Sequence, residues 1–235
     1  MSEYFDNREW LQSRLGRFTA SEIHKLSVPG KKKGEIFGVG AMTYIRTKAA
    51  EILTQEVKDE VDFKQAEWGK AHEAEACAAF ESWLGTTGVY YGGGNPVFFE
   101  YGDFEGCSPD WEIEEEVGAD MKCPYNSAEH MKNLLLESAE DLAKERWEYY
   151  CQLQYSMLIR GWKVAYFVSY DPRFVYDWMK LKVIQVYPDP EWLEDYSMRI
   201  PLAIEELKEM VRKFSNPVIL ASHDNQVGAT IIEKV

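Results

Sequence analysis

Two aspartates and a lysine lie close together near the middle of the chain, in the segments Ser108-Pro109-Asp110 and Asp120-Met121-Lys122. The sequence predicts a β-hairpin here. Asp120 and Lys122 would share one strand face, because strand side chains alternate with a period of two. Two carboxylates can hold a divalent cation against a phosphate, and an ammonium group can stabilise the charge that develops there. The spacing therefore favours metal-assisted hydrolysis of a phosphodiester. The alternative is a solvated turn with incidental acids.

A third carboxylate belongs to a helix predicted over residues 67–84. Glu73 begins a stripe of small or apolar residues at helical spacing, which continues through Ala76, Cys77, Phe80 and Leu84. Glu73 should therefore face the interior, where a carboxylate normally pairs with a cation or a metal ion. A salt-bridged core glutamate is the other interpretation, and the acidic hairpin makes the metal the better one.

Three carboxylates suit Mg²⁺ or Mn²⁺, which are hard cations that prefer oxygen ligands. Glu73, Asp110 and Asp120 would supply them, and the backbone carbonyl of Met121 is a candidate for a further oxygen. Lys122 would then lie beside the attacking water or the scissile phosphate.

The order of predicted elements is α-α-β-β-β-α-β-β-α, which indicates one α/β domain with a mixed sheet. Helices are predicted over residues 8–26, with a second one opening at 19–22, and over 41–57, 67–84, 128–159 (bent near 137–141) and 192–214. Strands are predicted over residues 97–101, 111–113, 117–121, 163–170 and 179–187. At 235 residues and 46% hydrophobic composition, the chain can bury one sizeable core.

Composition excludes several classes of protein. No run of about 18 apolar residues is present, so no membrane span is expected, and the amino terminus lacks the pattern of a secretory signal. The four cysteines, at positions 77, 107, 123 and 151, show no C-x-x-C spacing. Reduced thiols in a cytoplasmic protein are therefore expected, and a zinc or iron–sulfur site is not.

The net charge of −14 is unevenly distributed. Residues 1–50 contain nine Lys/Arg and five Asp/Glu, a net of +4, so the remaining residues carry −18. An acidic body with a basic amino-terminal segment can still accept DNA along one surface. The loop containing Lys31-Lys32-Lys33 could follow phosphates or could simply be solvated.

Motifs along residues 8–175 resemble those of one nuclease family. They are Trp10-Leu11, Arg14-Leu15-Gly16, Thr19-Ala20-Ser21-Glu22, Trp68-Gly69-Lys70 with Glu73, Cys107-Ser108-Pro109-Asp110, Asp120-Met121-Lys122-Cys123-Pro124, Gln152-Leu153-Gln154-Tyr155-Ser156-Met157 and Tyr170-Asp171-Pro172-Arg173. Together they resemble the lambda-exonuclease (YqaJ-type viral recombinase) family of PD-(D/E)xK nucleases, and the combination is more specific than any single motif.

The resemblance implies a single nuclease domain over residues 1–235 with a restriction-endonuclease-like core. A basic, helical DNA-end-binding part (1–60) would precede the catalytic core (61–190) and a carboxyl-terminal helix and tail (191–235). The implied residue roles are metal ligation by Glu73, Asp110, Asp120 and the Met121 carbonyl, catalysis by Lys122, 5′-phosphate binding by Arg14, Ser21 and Ser108, and support of the site by Gln152 and Gln154. For Gln154, a helical stripe with Trp147, Tyr150 and Leu158 also predicts an inward position.

The implied activity is a Mg²⁺-dependent 5′→3′ exonuclease that degrades one strand of double-stranded DNA from its ends and leaves 3′ single-stranded tails. Mn²⁺ is a possible substitute. A homo-oligomeric ring, with a trimer favoured, would act with a single-strand annealing protein in the cytoplasm of a bacterial or phage-infected cell. An endonuclease and an iron–sulfur nuclease of the same superfamily are alternatives, although the cysteine positions argue against the latter. A catalytically silent DNA-end binder or acidic DNA mimic is a rival of another class.

Two residues depart from the pattern of this family. Asp120 stands where glutamate is usual, and Trp111 stands where glycine is usual. Neither change removes an acid, so activity is expected to persist with an altered rate or metal affinity.

Overall fold

The computed structural model describes residues 8–31, 34–57, 63–93 and 96–215. The helices are α1 (Arg8–Arg14), α2 (Val39–Thr54), α3 (Phe63–Leu84), α4 (Ser127–Leu134), α5 (Ala139–Glu145), α6 (Trp147–Arg160), α7 (Asp177–Lys180) and α8 (Pro190–Phe214), with a 3₁₀ helix over Ala20–Ser27. The strands are β1 (Phe18–Thr19), β2 (Val89–Tyr90), β3 (Phe99–Tyr101), β4 (Glu105–Cys107), β5 (Trp111–Ile113), β6 (Val117–Lys122), β7 (Val164–Tyr170) and β8 (Leu181–Val186).

The strands form two sheets. The larger has the order β2-β5-β6-β7-β8, in which β6 and β7 are parallel and the other pairs are antiparallel. The smaller has the order β1-β4-β3, in which β1 and β4 are parallel. The predicted single α/β domain with a mixed sheet flanked by helices is confirmed, and the second, smaller sheet was not predicted.

Strand β6 separates two apolar clusters because its side chains alternate between the two faces of the sheet. Ala119 and Met121 pack with Phe80 of α3 on one face. Asp120 and Lys122 point to the opposite face, toward α6, where a larger cluster joins α6, α8, α2 and the 3₁₀ helix. The two polar residues therefore sit at the carboxyl end of a strand whose remaining surface is buried. A strand packed on both faces has little freedom to shift, so their position is well defined.

The predicted long helix over residues 8–26 is wrong, because α1 ends at Arg14 and the chain turns at Gly16. Gly16 has φ +69°, and a Cβ there would lie 2.3 Å from Cγ1 of Ile52. Its amide donates to the carboxylate of Glu51 at 3.0 Å. Only glycine combines this backbone conformation with so close an approach to α2, and the turn leaves room for β1.

The other predicted elements differ mainly at their ends. The helical region over 128–159 is three helices, with breaks at 135–138 and at Arg146, and the predicted strand over 179–187 begins only after α7. The hairpin of β5 and β6 is present, with Trp111 opposite Ala119. Within the described ranges, none of the helices is long and apolar enough to cross a bilayer.

Candidate active site

A cleft of about 280 Å³ lies at the carboxyl end of β6. Nearly every site residue expected from the sequence lines it: Arg14, Ser21, Glu73, Ser108, Asp110, Asp120, Met121, Lys122 and Gln152. Segments far apart in the chain thus meet in one cavity. Gln154 is absent from its lining. Lys32 and Lys33 of the predicted basic loop lie outside the described residues.

Three carboxylates are adjacent in this cleft. Glu73, on α3, and Asp120, on β6, both lie within interaction range of the Asp110 side chain. One oxygen of Asp110, Oδ2, accepts a hydrogen bond of 2.6 Å from the Met121 amide, which joins the start of β5 to the end of β6. The hairpin and the helix therefore bring together the three acids expected from the sequence.

Lys122 and Gln152 approach Asp120 from two sides. The ammonium nitrogen of Lys122 lies 2.5 Å from Oδ2 of Asp120, as expected for two residues on one strand face. The amide of Gln152, on α6, donates to Oδ1 of the same aspartate at 2.5 Å. Oδ2 is buried and accepts no hydrogen bond of good geometry within the described part of the chain. One oxygen of Asp120 is thus held by the protein, and the other is in ionic contact alone.

The two buried aspartates hold protons more tightly than free aspartates do. Burial is the main cause for Asp110, followed by the nearby Glu73, and together they raise its pKa well above the ordinary value. Burial likewise raises the pKa of Asp120 to about 7, although the charge of Lys122 opposes the change. Burial disfavours the charge of Lys122, but Asp120 and Asp110 outweigh it and raise the lysine pKa. The adjacent buried acids therefore do not all ionise readily unless a further cation lies close to them.

The residues expected to bind a terminal phosphate form one corner of the cleft. Nη2 of Arg14 lies 3.4 Å from Oγ of Ser21, and the indole nitrogen of Trp10 donates to Oγ of Ser108 at 3.0 Å. The guanidinium of Arg14 also lies 4.3 Å from the centre of the Trp10 ring. Trp10 thus connects the arginine to the second serine, and the sequence-based assignment did not include it.

Register in the smaller sheet explains why the two serines line the same cleft. Thr19 of β1 is paired with Gly106 of β4, and the two strands are parallel. Ser21 and Ser108 each follow the paired residue by two positions, so both chains deliver a hydroxyl to the same end of the sheet. Asp110 comes two residues later on the second of these chains.

Gln154, which was predicted to support the site, is not part of the cleft lining. Its amide nitrogen donates to the Tyr187 carbonyl at 2.8 Å, and its oxygen accepts from the Asp189 amide at 2.9 Å. These contacts fix the connection between β8 and α8, away from the cleft. Gln152, two residues earlier, faces the site because alternate helical positions lie on different faces. The inward position predicted for Gln154 is confirmed, since Gln154 and Tyr150 of its stripe are buried, although Trp147 and Leu158 are exposed.

Lys70 is a cleft residue that the sequence-based assignment left without a role. It lies on α3 three positions before Glu73, which places the two on one helix face. The three-residue spacing between Lys70 of the Trp68-Gly69-Lys70 motif and Glu73 could have predicted a position for Lys70 beside the acids.

Arg173 fixes the chain that follows Lys122. Its guanidinium pairs with Asp171 at 2.7 Å and donates to the carbonyls of Pro124 and Tyr125, each at 3.0 Å. The guanidinium also lies 4.2 Å from the centre of the Trp68 ring on α3. Two motifs from distant parts of the sequence therefore join the end of β6 to the helix that carries Glu73.

The donor set fits a hard divalent cation. Within residues 8–31, 34–57, 63–93 and 96–215, no three acidic, histidine or cysteine side chains already converge as metal ligands, and Lys122 and the Met121 amide each lie against a carboxylate oxygen. Two observations support binding of such a cation here: Oδ2 of Asp120 is buried and accepts no hydrogen bond of good geometry in the described residues, and the three adjacent carboxylates offer only oxygen atoms as ligands. Glu73, Asp110 and Asp120 would hold such an ion.

Comparison with known proteins bears on the fold and on the family. The chain is similar in structure to an alkaline exonuclease from Laribacter hongkongensis, with 22% identity, a TM-score of 0.69, and coverage of 87% of this chain and 94% of that one. A structure of that exonuclease in complex with dAMP gives a TM-score of 0.68 at the same identity and coverage. A phage-related exonuclease from Haemophilus somnus 129PT gives 18% identity, a TM-score of 0.68, and coverage of 85% and 96%.

These identities show a shared fold. A search of curated proteins gives no significant match. The family model of the YqaJ-like viral recombinase domain matches residues 9–163, which is more than half of the chain and contains every acid of the cleft. The resemblance drawn from the sequence motifs is thus confirmed, and the chain belongs to the YqaJ-like viral recombinase domain family.

Proposed function

We propose that this protein is a metal-dependent deoxyribonuclease that degrades one strand of duplex DNA from its 5′ end, releasing mononucleotides and leaving 3′ single-stranded tails. The observation that carries the proposal is the presence of two phosphate-directed groups in one cleft of about 280 Å³. One is the acid group with Lys122, and the other is the Arg14 and serine corner. A nuclease that cuts internally needs the first, whereas an exonuclease that starts from a phosphorylated end also uses the second.

The charges of the cleft support a role for a cation. Three acids (Glu73, Asp110, Asp120) face three basic side chains (Arg14, Lys70, Lys122) in the lining. The acids alone would repel DNA. A divalent ion such as Mg²⁺, or Mn²⁺ in its place, would polarise a water molecule and a phosphodiester oxygen when bound.

The residues of the chain have distinct roles in this proposal. Arg14 and the two serines hold the terminal 5′-phosphate by charge-assisted and neutral hydrogen bonds. Lys122 keeps its proton and stabilises the charge that develops on the scissile phosphate. Gln152 fixes the rotation of the Asp120 carboxylate by its hydrogen bond to Oδ1.

Membership of the family supports wider proposals. These are that the protein acts as a homo-oligomeric ring, with a trimer favoured, and that it works with a single-strand annealing protein in recombination. The net charge of −14 suits a chain that admits DNA along one lined surface and repels it elsewhere.

Incubation with linear and closed circular duplex DNA in Mg²⁺ tests the activity. The wild type should release mononucleotides from linear DNA with 5′-phosphorylated ends, and Asp110→Ala should be inactive. Asp177→Asn, a change at an exposed surface ion pair with Lys180, is the matched control and should keep full activity. Nicking of circles would indicate an endonuclease, and failure of the wild type to hydrolyse either DNA would favour a silent end binder.

Recognition of the 5′ end is tested with linear duplex DNA whose ends carry either a 5′-phosphate or a 5′-hydroxyl. Arg14→Ala should remove most of the preference of the wild type for the phosphorylated end. A wild type that prefers neither end would contradict the assignment of the Arg14 corner.

A further inference from the structure

Tyr149 lies on α6 three residues before Gln152, on the helix face that meets β6. Its ring centre is 5.2 Å from the ammonium nitrogen of Lys122, while Gln152 holds Asp120. Tyr149 and Gln152, three positions apart on the helix, thus contact Lys122 and Asp120, two positions apart on the strand. Nothing in the sequence motifs had given Tyr149 a role.

The Tyr149 ring is held in place by the core. It stacks on Phe167 with the ring centres 5.4 Å apart and the planes 22° from parallel. Phe167 is fully buried in β7 and is paired with Asp120 in the parallel register. Because paired residues of neighbouring strands share a face, Phe167 supports the ring on the side of the sheet to which Lys122 points. The ring is therefore a preformed surface.

Lys122 has two anchors of different kinds. One is the Asp120 carboxylate, with 2.5 Å between Nζ and Oδ2, and the other is the face of Tyr149. If Asp120 ligates a cation, as proposed above, its oxygen is no longer available to the lysine. The ring face is not a carboxylate oxygen, so it stays available to the lysine when the carboxylate is engaged.

We propose that Tyr149 is a positioning residue for Lys122, and that its ring face keeps the ammonium directed into the cleft when Asp120 is engaged by a cation. The interaction is a cation–π contact, which favours a charged ammonium over an electron-rich face. The role in hydrolysis rests on the proposed nuclease function, whereas the position of the lysine does not.

Two variants separate the ring face from the rest of the side chain. Tyr149→Phe keeps the face and loses the hydroxyl, and Tyr149→Leu keeps apolar contact with Phe167 but loses the face. We expect Tyr149→Leu to lower kcat about 3- to 30-fold, the range for a partly desolvated cation–π contact, with KM unchanged. Tyr149→Phe should stay near the wild-type kcat. Equal losses in both variants, or a loss confined to KM, would overturn the proposal.

A second measurement is independent of hydrolysis. In protein with ¹³C-labelled lysine, the Hε resonance of Lys122, identified by its absence in Lys122→Arg, should be shifted upfield by the ring. The shift should persist in Tyr149→Phe and after addition of Mg²⁺, and disappear in Tyr149→Leu. An unshifted resonance in the wild type, or loss of the shift on adding Mg²⁺, would overturn the proposal. If the wild type fails to cut DNA while these shifts are seen, the proposed function fails and the placement of Lys122 stands.

Discussion

Replacing Asp120 by asparagine should stabilise the metal-free protein at neutral and alkaline pH. The carboxylate is 5% exposed, and burial raises its pKa to about 7 from an ordinary value of 3.8. The folded protein therefore binds this proton more tightly than the unfolded chain does. Asparagine resembles the protonated acid in shape and cannot ionise, so it avoids the cost of a buried charge.

The size of the effect follows from the pKa difference. A rise from 3.8 to about 7 is roughly three units, and at about 1.4 kcal/mol for each unit it corresponds to about 4 kcal/mol. Because the folded pKa is the higher one, the free energy of unfolding of the wild type falls as pH rises from about 4 to about 7. The advantage of Asp120→Asn should grow over this window and then stay constant.

Urea unfolding in EDTA at pH 4.5 and 8.5 measures this difference. Asp177→Asn is the control, because Lys180 lowers the pKa of that exposed aspartate from its ordinary value of 3.8, so its carboxyl is ionised at both pH values and the difference from wild type should not change between them. Added Mg²⁺ should stabilise the wild type more than Asp120→Asn, since ligands stabilise the state that binds them. If the difference between Asp120→Asn and wild type did not grow with pH, Asp120 would not carry the buried charge, and the electrostatic reasoning would be refuted.

Four further substitutions test the packing of the site and of its surroundings. Asp120→Glu adds a methylene beside the Gln152 contact, so it should destabilise the metal-free protein by about 1–3 kcal/mol while hydrolysis persists, as urea unfolding and nuclease assays would show. Gln152→Leu should lower kcat and also lower stability, because a buried oxygen of Asp120 loses its donor, whereas Gln154→Leu should lower stability and spare kcat; a loss of kcat in the second variant alone would exchange their roles. Trp111→Ala removes a fully buried ring whose indole donates to Glu81 at 2.8 Å, and it should cost about 3–5 kcal/mol in the same unfolding assay. A loss of under about 1 kcal/mol would mean that the site collapses readily around the missing ring.

Local patterns predicted the part of the site that lies on one hairpin and one helix. The period-two spacing placed Asp120 and Lys122 on one strand face, and the helical stripe of Glu73 located the third acid. These are short-range properties, in which side-chain direction follows directly from backbone geometry. They hold as long as the element itself is assigned correctly.

Contacts between distant segments were not predictable in the same way. The turn at Gly16 depends on the close approach of Ile52, and the pairing of β1 with β4 joins residues about 87 positions apart. In both cases, the sequence of one segment contains no periodic pattern that identifies the segment it contacts. Whether Gln152 or Gln154 contacts the acids also depends on which face of α6 packs against β6. Because α6 is buried on several sides, its composition does not show which face this is.

The parallel pairing of Thr19 with Gly106 has a consequence for the product of the proposed reaction. Ser21 and Ser108 leave this pair side by side, and Asp110 follows on the second chain. The position of the two serines relative to Asp110 along the backbone is thus set by this strand register. On the proposed function, the length of the fragment released in each cycle is set by the sheet. An insertion or deletion between the strand pair and Asp110 should therefore change this step, as the length of the released product would show.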